Sequence, residues 1–247
     1  MKIINLIPMA GNGMRFKNVG YSTPKPLIPV DGKPMIVKAI ESLPKASLNI
    51  LIVRKDVLNI ESLKKTLFKY FENIKIIGID HLTDGQASTC LIAENFIDNK
   101  CILNIGTCDT GFKIDNKKYL EMINLYDSFI WTYRNNLNVI NNPKMYGWVM
   151  PKSNSNEIEY ISCKKPISDN ILNDHVISGT FTFKNPSLFF ESIRLMKKKK
   201  DKVNGEFYLD NIFNHIDKPS GIFEVEKTFS WGTPDELNNY LNGNEKI

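Results

Sequence analysis

The chain has no apolar run approaching the roughly 18 residues of a membrane span, and it passes at once into a strand-like run at residues 3–8. Neither a membrane helix nor an export signal is expected, and the expected location is the cytoplasm. Cysteine is scarce: Cys90, Cys101, Cys108 and Cys163 show no C-x-x-C spacing and no neighbouring histidine pair. Neither a zinc site nor a disulfide framework is indicated, and the thiols are expected to be reduced. The three histidines lack partners in the sequence, so they are assigned no chemistry. No repeat, low-complexity tract or Pro/Gly/Ser linker divides the 247 residues, which suits one continuous domain. A concentrated basic patch is also missing. Net charge is +5, with Lys and Arg scattered among acids, and the one dense run, 197–200, ends a probable helix. Such a run reads as a solvated helix end, and no nucleic-acid partner is expected.

What is present is concentrated in residues 9–36, MAGNGMRFKNVGYSTPKPLIPVDGKPMI. A strand ending in glycines can offer several backbone N–H groups to a phosphate, because no Cβ blocks the approach. Ala10, Gly11, Asn12, Gly13 and Met14 form that stretch; Arg15 follows, and Lys25 is pinned between two prolines. The loop is suited to a polyphosphate. It is not a dinucleotide fingerprint, since Phe16 stands where the third glycine would be due, and Gly-x-x-x-x-Gly-Lys-Ser/Thr is absent.

Apolar runs at 3–8, 50–53, 74–79 and 101–105 read as strands buried on both faces, alternating with helical periodicity at 34–43, 60–71 and 86–96. That order predicts an α/β fold, a Rossmann-like mixed and mostly parallel sheet flanked by helices, with ligands beyond the carboxyl ends of the strands. The second half reads as strands at 129–134, 147–150, 157–161 and 177–183, with helices at 186–196, 207–216 and 234–241. Residues 1–112 are expected to bind the nucleotide and 113–247 the acceptor. Asp109, just past the fourth strand, either caps the turn that follows or faces the phosphate loop as a Mg²⁺ ligand. With the glycine loop opposite, the metal role is the expectation.

The string G-x-G-x-R-F, then P-K-P-L-I-P-V, then G-K-P-M-I resembles the signature of the sugar-phosphate nucleotidyltransferases. That resemblance implies a nucleotidyltransferase fold and transfer of a nucleotide to a phosphorylated sugar or sugar alcohol, with pyrophosphate released. It further implies Asp109 as the Mg²⁺ ligand and Arg15 and Lys25 as catalytic residues. Gly85 would let the base lie against the backbone while Gln86 reads its edge, unless Thr83 or Asp84 simply caps a helix there. On the acceptor side the resemblance implies Tyr146, Gly147, Gly179 and Glu206, with Lys165 gripping the phosphate. Lys164 and Ser230 stand where many members carry acids, and Asp210 is a candidate replacement for the second. M-A-G-x-G-x-R-F resembles the branch found among bacterial surface-polysaccharide enzymes, with CTP favoured over UTP or dTTP. A glycosyltransferase of similar sheet architecture is disfavoured, because Cys108-Asp109-Thr110 has one acid of an Asp-x-Asp. A catalytically silent nucleotide-binding module is the other alternative.

Overall fold

Ile, Leu and Val side chains can fill both faces of a sheet that helices cover on both sides, and each apolar run of the first half becomes such a strand. The structure is a computed structural model and describes residues 2–244. In chain order the first half runs β1 (Ile3–Met9), α1 (Met14–Lys17), the two-residue strands β2 (Pro29–Val30) and β3 (Lys33–Pro34), α2 (Met35–Glu41), β4 (Leu48–Arg54), α3 (Ile60–Leu67), β5 (Ile74–Ile79), α4 (Gln86–Leu91) and β6 (Ile102–Ile105). Strands β5, β4, β1 and β6 are parallel neighbours, with Leu6 opposite Ile50 on one side and Ile105 on the other. β5 forms the edge, which is why five of its six residues are only half-buried.

The second half adds β7 (Thr110–Lys113), α5 (Asn116–Leu125), β8 (Ser128–Tyr133), α6 (Asn138–Asn141), β9 (Gly147–Pro151), β10 (Ile158–Cys163), β11 (His175–Phe183), α7 (Pro186–Lys198), β12 (Ser220–Glu224), β13 (Lys227–Ser230) and α8 (Pro234–Asn239). β11 lies antiparallel beside β6, so one nine-stranded sheet runs through both halves. β13 pairs separately with β7, and that ribbon carries residues 227–230 towards the loop after β6.

Strands β7, β12 and β13 were not expected from the sequence, and three further features depart from that reading. Residues 207–216 are not an α-helix: Phe207 and Tyr208 lie outside any helix, and only Asp210–His215 forms a turn of 3₁₀ type. The helix expected to run to residue 96 ends at Leu91 and is followed by a short 3₁₀ turn, Glu94–Phe96. α5 was not expected, although Tyr119, Met122 and Ile123 share its buried face and the Asp115 side chain accepts from Lys117 N and Lys118 N.

A bulge in β11 matters most for function. Its register against β8 shifts between Ile177 and Phe181, with Gly179 at φ +80°. A bulge re-aims side chains out of the ladder, and here it brings Ser178 and Gly179 to the wall of a cleft at the carboxyl ends of the parallel strands.

Candidate active site

The glycine loop leaves β1 and turns into α1 through Gly13, whose φ of +62° is cheap only without a Cβ. The chain then returns through Pro24-Lys25-Pro26, and this proline-flanked turn fixes where the Lys25 stem leaves the backbone. Its ammonium is bonded to Asp109 Oδ2 and donates 3.0 Å to the carbonyl of Gly232, with the Phe16 ring centroid 5.6 Å away. Burial, the largest single influence, pulls the Lys25 pKa down, but the Asp109 charge, the neighbouring Cys108 and the hydrogen bond to Asp109 together leave the net shift upward. Burial, again the largest single influence, would raise Asp109, and the Lys25 charge together with hydrogen bonds from Lys25, Thr107 and Thr110 instead holds its carboxyl below the ordinary range. Both groups are ionised at neutral pH. Their side chains keep 17% and 23% exposure, so the pair is reachable by ligand.

Two clefts meet over this pair. The larger, about 570 Å³, lies along the glycine loop and is lined by Gly11, Asn12, Gly13, Met14, Lys25 and Glu206, among others. The smaller, about 240 Å³, is bordered by Tyr146, Gly147, Lys164, Gly179, Tyr208 and Asp210, among others. Arg15, Gln86, Asp109 and Gly232 border both. The arrangement offers a cation-rich channel, a junction held by a Lys–Asp pair, and a polar chamber beyond it. Chemically, it can bring two phosphate-bearing molecules together at the junction.

Not every expected residue sits where the sequence reading put it. Ala10 is buried in the core and does not border either cleft. Gly85 serves the protein backbone: a Cβ there would lie 2.5 Å from the N and O atoms of Phe207, whose carbonyl accepts from Ala87 N at 3.1 Å. Gly147 likewise makes room for the Asp210 carboxylate, which a Cβ would strike. Lys165 is exposed and outside both clefts, while Lys164 takes the place in the smaller one. The cause is a left-handed turn at Lys164, φ +62°, followed by the bond from Ser162 Oγ to Lys165 O at 2.6 Å. Glu206, expected on the acceptor side, borders the larger cleft along the glycine loop and not the smaller one. Asp210 lies by Gly147, and it is Glu236 that approaches Asp109 near Ser230.

Glu236, which borders the smaller cleft, was not singled out by the sequence reading. It closes a capping box at the start of α8, with Thr233 N donating 2.9 Å to its Oε2 and Glu236 N donating 3.2 Å to Thr233 Oγ1. The Thr-x-x-Glu spacing at 233–236 was the available signal. Burial and the Glu236 charge together push the Tyr146 phenol up to about 12. Three oxygens surround the side of Gly232 that a Cβ would occupy: Glu236 Oε2 at 3.1 Å, Asp109 Oδ2 at 3.5 Å and Ser230 Oγ at 3.9 Å from that position. Lys197 was read as part of a solvated end, yet its ammonium reaches Ser88 Oγ at 2.6 Å and Asp84 Oδ1 at 3.1 Å and lies 4.5 Å from the Phe207 ring centroid.

Comparison with known proteins agrees with this geometry. The family described as nucleotidyl transferase matches residues 4–233. The "Bifunctional protein GlmU" of Methanocaldococcus jannaschii is 25% identical over 245 residues, covering 96% of this chain and 53% of that protein. The chain thus spans about half the length of the curated relatives it matches. Among solved structures, the nucleoside-diphosphate-sugar pyrophosphorylase of Vibrio cholerae RC9 superposes with a TM-score of 0.78 at 19% identity, covering 96% of this chain and 99% of that one. The inositol-1-phosphate CTP transferase of T. maritima gives 0.69 at 14% identity, covering 95% and 91%. At those identities the likeness is one of fold.

Proposed function

The chain belongs to the nucleotidyl transferase family, and from that premise we propose that it joins a pyrimidine nucleoside triphosphate to a phosphorylated sugar or sugar alcohol and releases pyrophosphate. CTP is the favoured nucleotide, and nucleotide-sugar or nucleotide-polyol supply for a surface polysaccharide is the favoured role, in the cytoplasm. The observation that carries the reading is the meeting of two clefts over the Lys25–Asp109 pair, one along the glycine loop and one polar and separate. The preference for CTP and for a polysaccharide role rests on residues 9–36 and on the unusual Lys164 and Ser230.

The chemical problem is charge. A triphosphate and a phosphomonoester together bring about six negative charges to one place. The acceptor phosphate, with a second pKa of about 6, is already mostly a dianion at neutral pH, so the attack needs no general base. Positioning and neutralisation are then sufficient, as for phosphoryl transfer in general. In this reading the N–H groups of residues 11–14 and the Arg15 guanidinium hold the departing pyrophosphate. Lys25 sits where the α-phosphate and the acceptor phosphate meet and stabilises the charge that grows there. Gln86, bordering both clefts, has the donor and acceptor amide needed to contact the base edge. Lys164, not Lys165, is the lysine that borders the cleft read here as the acceptor side.

The donor set fits Mg²⁺, a hard ion that takes one or two carboxylates and completes its shell with water and substrate phosphates. Asp109 would hold it, with Ser230 and Glu236 the nearby oxygens around Gly232. When bound, the ion supplies neutralisation between the two phosphates.

The test is to incubate the protein with CTP, UTP or dTTP, Mg²⁺ and a panel of phosphorylated sugars and polyols, and to measure pyrophosphate. Release that requires both substrates supports the reading. Sugar transfer from a nucleotide-sugar without pyrophosphate would replace it with a glycosyltransferase, and nucleotide binding without turnover would replace it with a silent module.

A further inference from the structure

The smaller cleft contains a carboxylate whose setting the reaction itself does not require. Asp210 stands at its floor against Gly147, and among the described residues no side chain donates a hydrogen bond to it. The Gly147 Cα is the reason the group fits: any larger residue at 147 would place its Cβ on Oδ2. Burial makes the ionised carboxylate costly, and the Lys164 charge offsets that only in part. Lys164 attracts Asp210 but forms no ion pair with it among the described residues. Its ammonium is bonded to Met145 O and lies 5.1 Å from the Tyr208 ring centroid. Thr228 borders the same cleft, and its Oγ1 is buried and without a hydrogen-bond partner among the described residues.

We infer that Asp210 and Lys164 together read hydroxyl groups on the body of the acceptor, and that the acceptor is neutral apart from its phosphate. The inference rests on the nucleotidyltransferase reading above and narrows its substrate class. An ionised carboxylate only accepts hydrogen bonds and an ammonium only donates them, whereas a hydroxyl does both. A hydroxyl set between the two satisfies each. A ligand carboxylate would meet like charge at Asp210, and a ligand ammonium would meet it at Lys164.

Steady-state pyrophosphate release decides it, using glucose 1-phosphate, glycerol 3-phosphate, ribitol 5-phosphate and a carboxylated sugar 1-phosphate, glucuronic acid 1-phosphate, as acceptors. With the best of these, Asp210→Asn should raise the acceptor KM about 10-fold to 100-fold, the range for losing hydrogen bonds to a charged group, while the nucleotide KM stays within twofold. Gly147→Ala should act in the same direction by displacing the carboxylate, and it carries the test if Asp210→Asn does not fold. Monodeoxy analogues of the best acceptor should lose affinity in the wild type and lose little more in Asp210→Asn. An unchanged acceptor KM in both variants, or a wild-type preference for glucuronic acid 1-phosphate over the neutral acceptors, overturns the inference even though turnover persists. Absence of acceptor-dependent pyrophosphate in the wild type strikes instead at the proposed function.

Discussion

The Asp210 carboxyl titrates at about 6 because burial penalises its charge more than Lys164 relieves it. A carboxyl whose folded pKa lies above its ordinary 3.8 takes up protons in the folded state first, so stability falls as pH rises from about 4 to about 6. Above that window the folded chain carries the full cost of an ionised Asp210, on the order of 1–3 kcal/mol. Asp210→Asn should therefore raise the melting temperature at pH 7.5, with the gain shrinking to nothing by about pH 4; thermal melts across that range check it. Lys25 behaves oppositely, because it and Asp109 stabilise each other's charged forms. Lys25→Ala should lower kcat at least about 100-fold, the scale for removing a preorganised donor at a reacting oxyanion, while far-UV circular dichroism remains that of the folded protein. Near-normal turnover would remove Lys25 from the mechanism.

Elements differ in how openly their sequence declares them. β1, β4 and β6 are dense in Ile, Leu and Val, and their burial on both faces makes composition alone sufficient. β12 has only Ile222 and Phe223 as large apolar residues, and it is a strand because it lies parallel beside β8 with Gly221 packed on Met122 and Tyr126. That pairing is tertiary, and nothing local announces it. The site shows the same division. Lys25, Arg15 and Asp109 converge as the loop pattern implied, whereas the choice of Lys164 over Lys165 depends on one left-handed turn. The clamp between α7 and α4 was also hidden, since Asp84, Ser88 and Lys197 come from distant parts of the chain. Lys202 also reaches this segment, its ammonium 3.5 Å from Asp84 Oδ2. Half-exposed ion pairs contribute about 1 kcal/mol or less, so the double change Lys197→Ala with Lys202→Ala should lower the melting temperature by only a few degrees. Its effect should be local: amide exchange across residues 83–88 should quicken, and the nucleotide KM should rise several-fold. Unaltered exchange in that segment would show that the lysines decorate the loop without holding it.

Across the whole molecule, the two halves are joined by a buried polar chain as well as by the sheet. Asn104 on β6 receives Thr182 Oγ1 at 2.8 Å from β11 and Tyr119 OH at 3.0 Å from α5, and donates 3.1 Å to Asn5 Oδ1 on β1. Asn5 continues to Asn49 Oδ1 on β4 at 3.1 Å, and Trp131 Nε1 on β8 extends the chain by donating 2.9 Å to Thr182. Such a network is secure only while every member is satisfied. Asn104→Ala would strand two hydroxyl donors and one amide oxygen in the buried interior, and it would leave a small void. The expected cost is about 2–5 kcal/mol, which for a chain of this length corresponds to a melting temperature lower by roughly 5–15 °C. Because the network crosses strands of both halves, near-UV and far-UV circular dichroism should lose signal together, at one lowered midpoint. Asn104 borders neither cleft, so kcat/KM measured well below that midpoint should be close to wild type. Separate midpoints for the two signals would mean that the halves melt as independent units and that the shared sheet does not couple them.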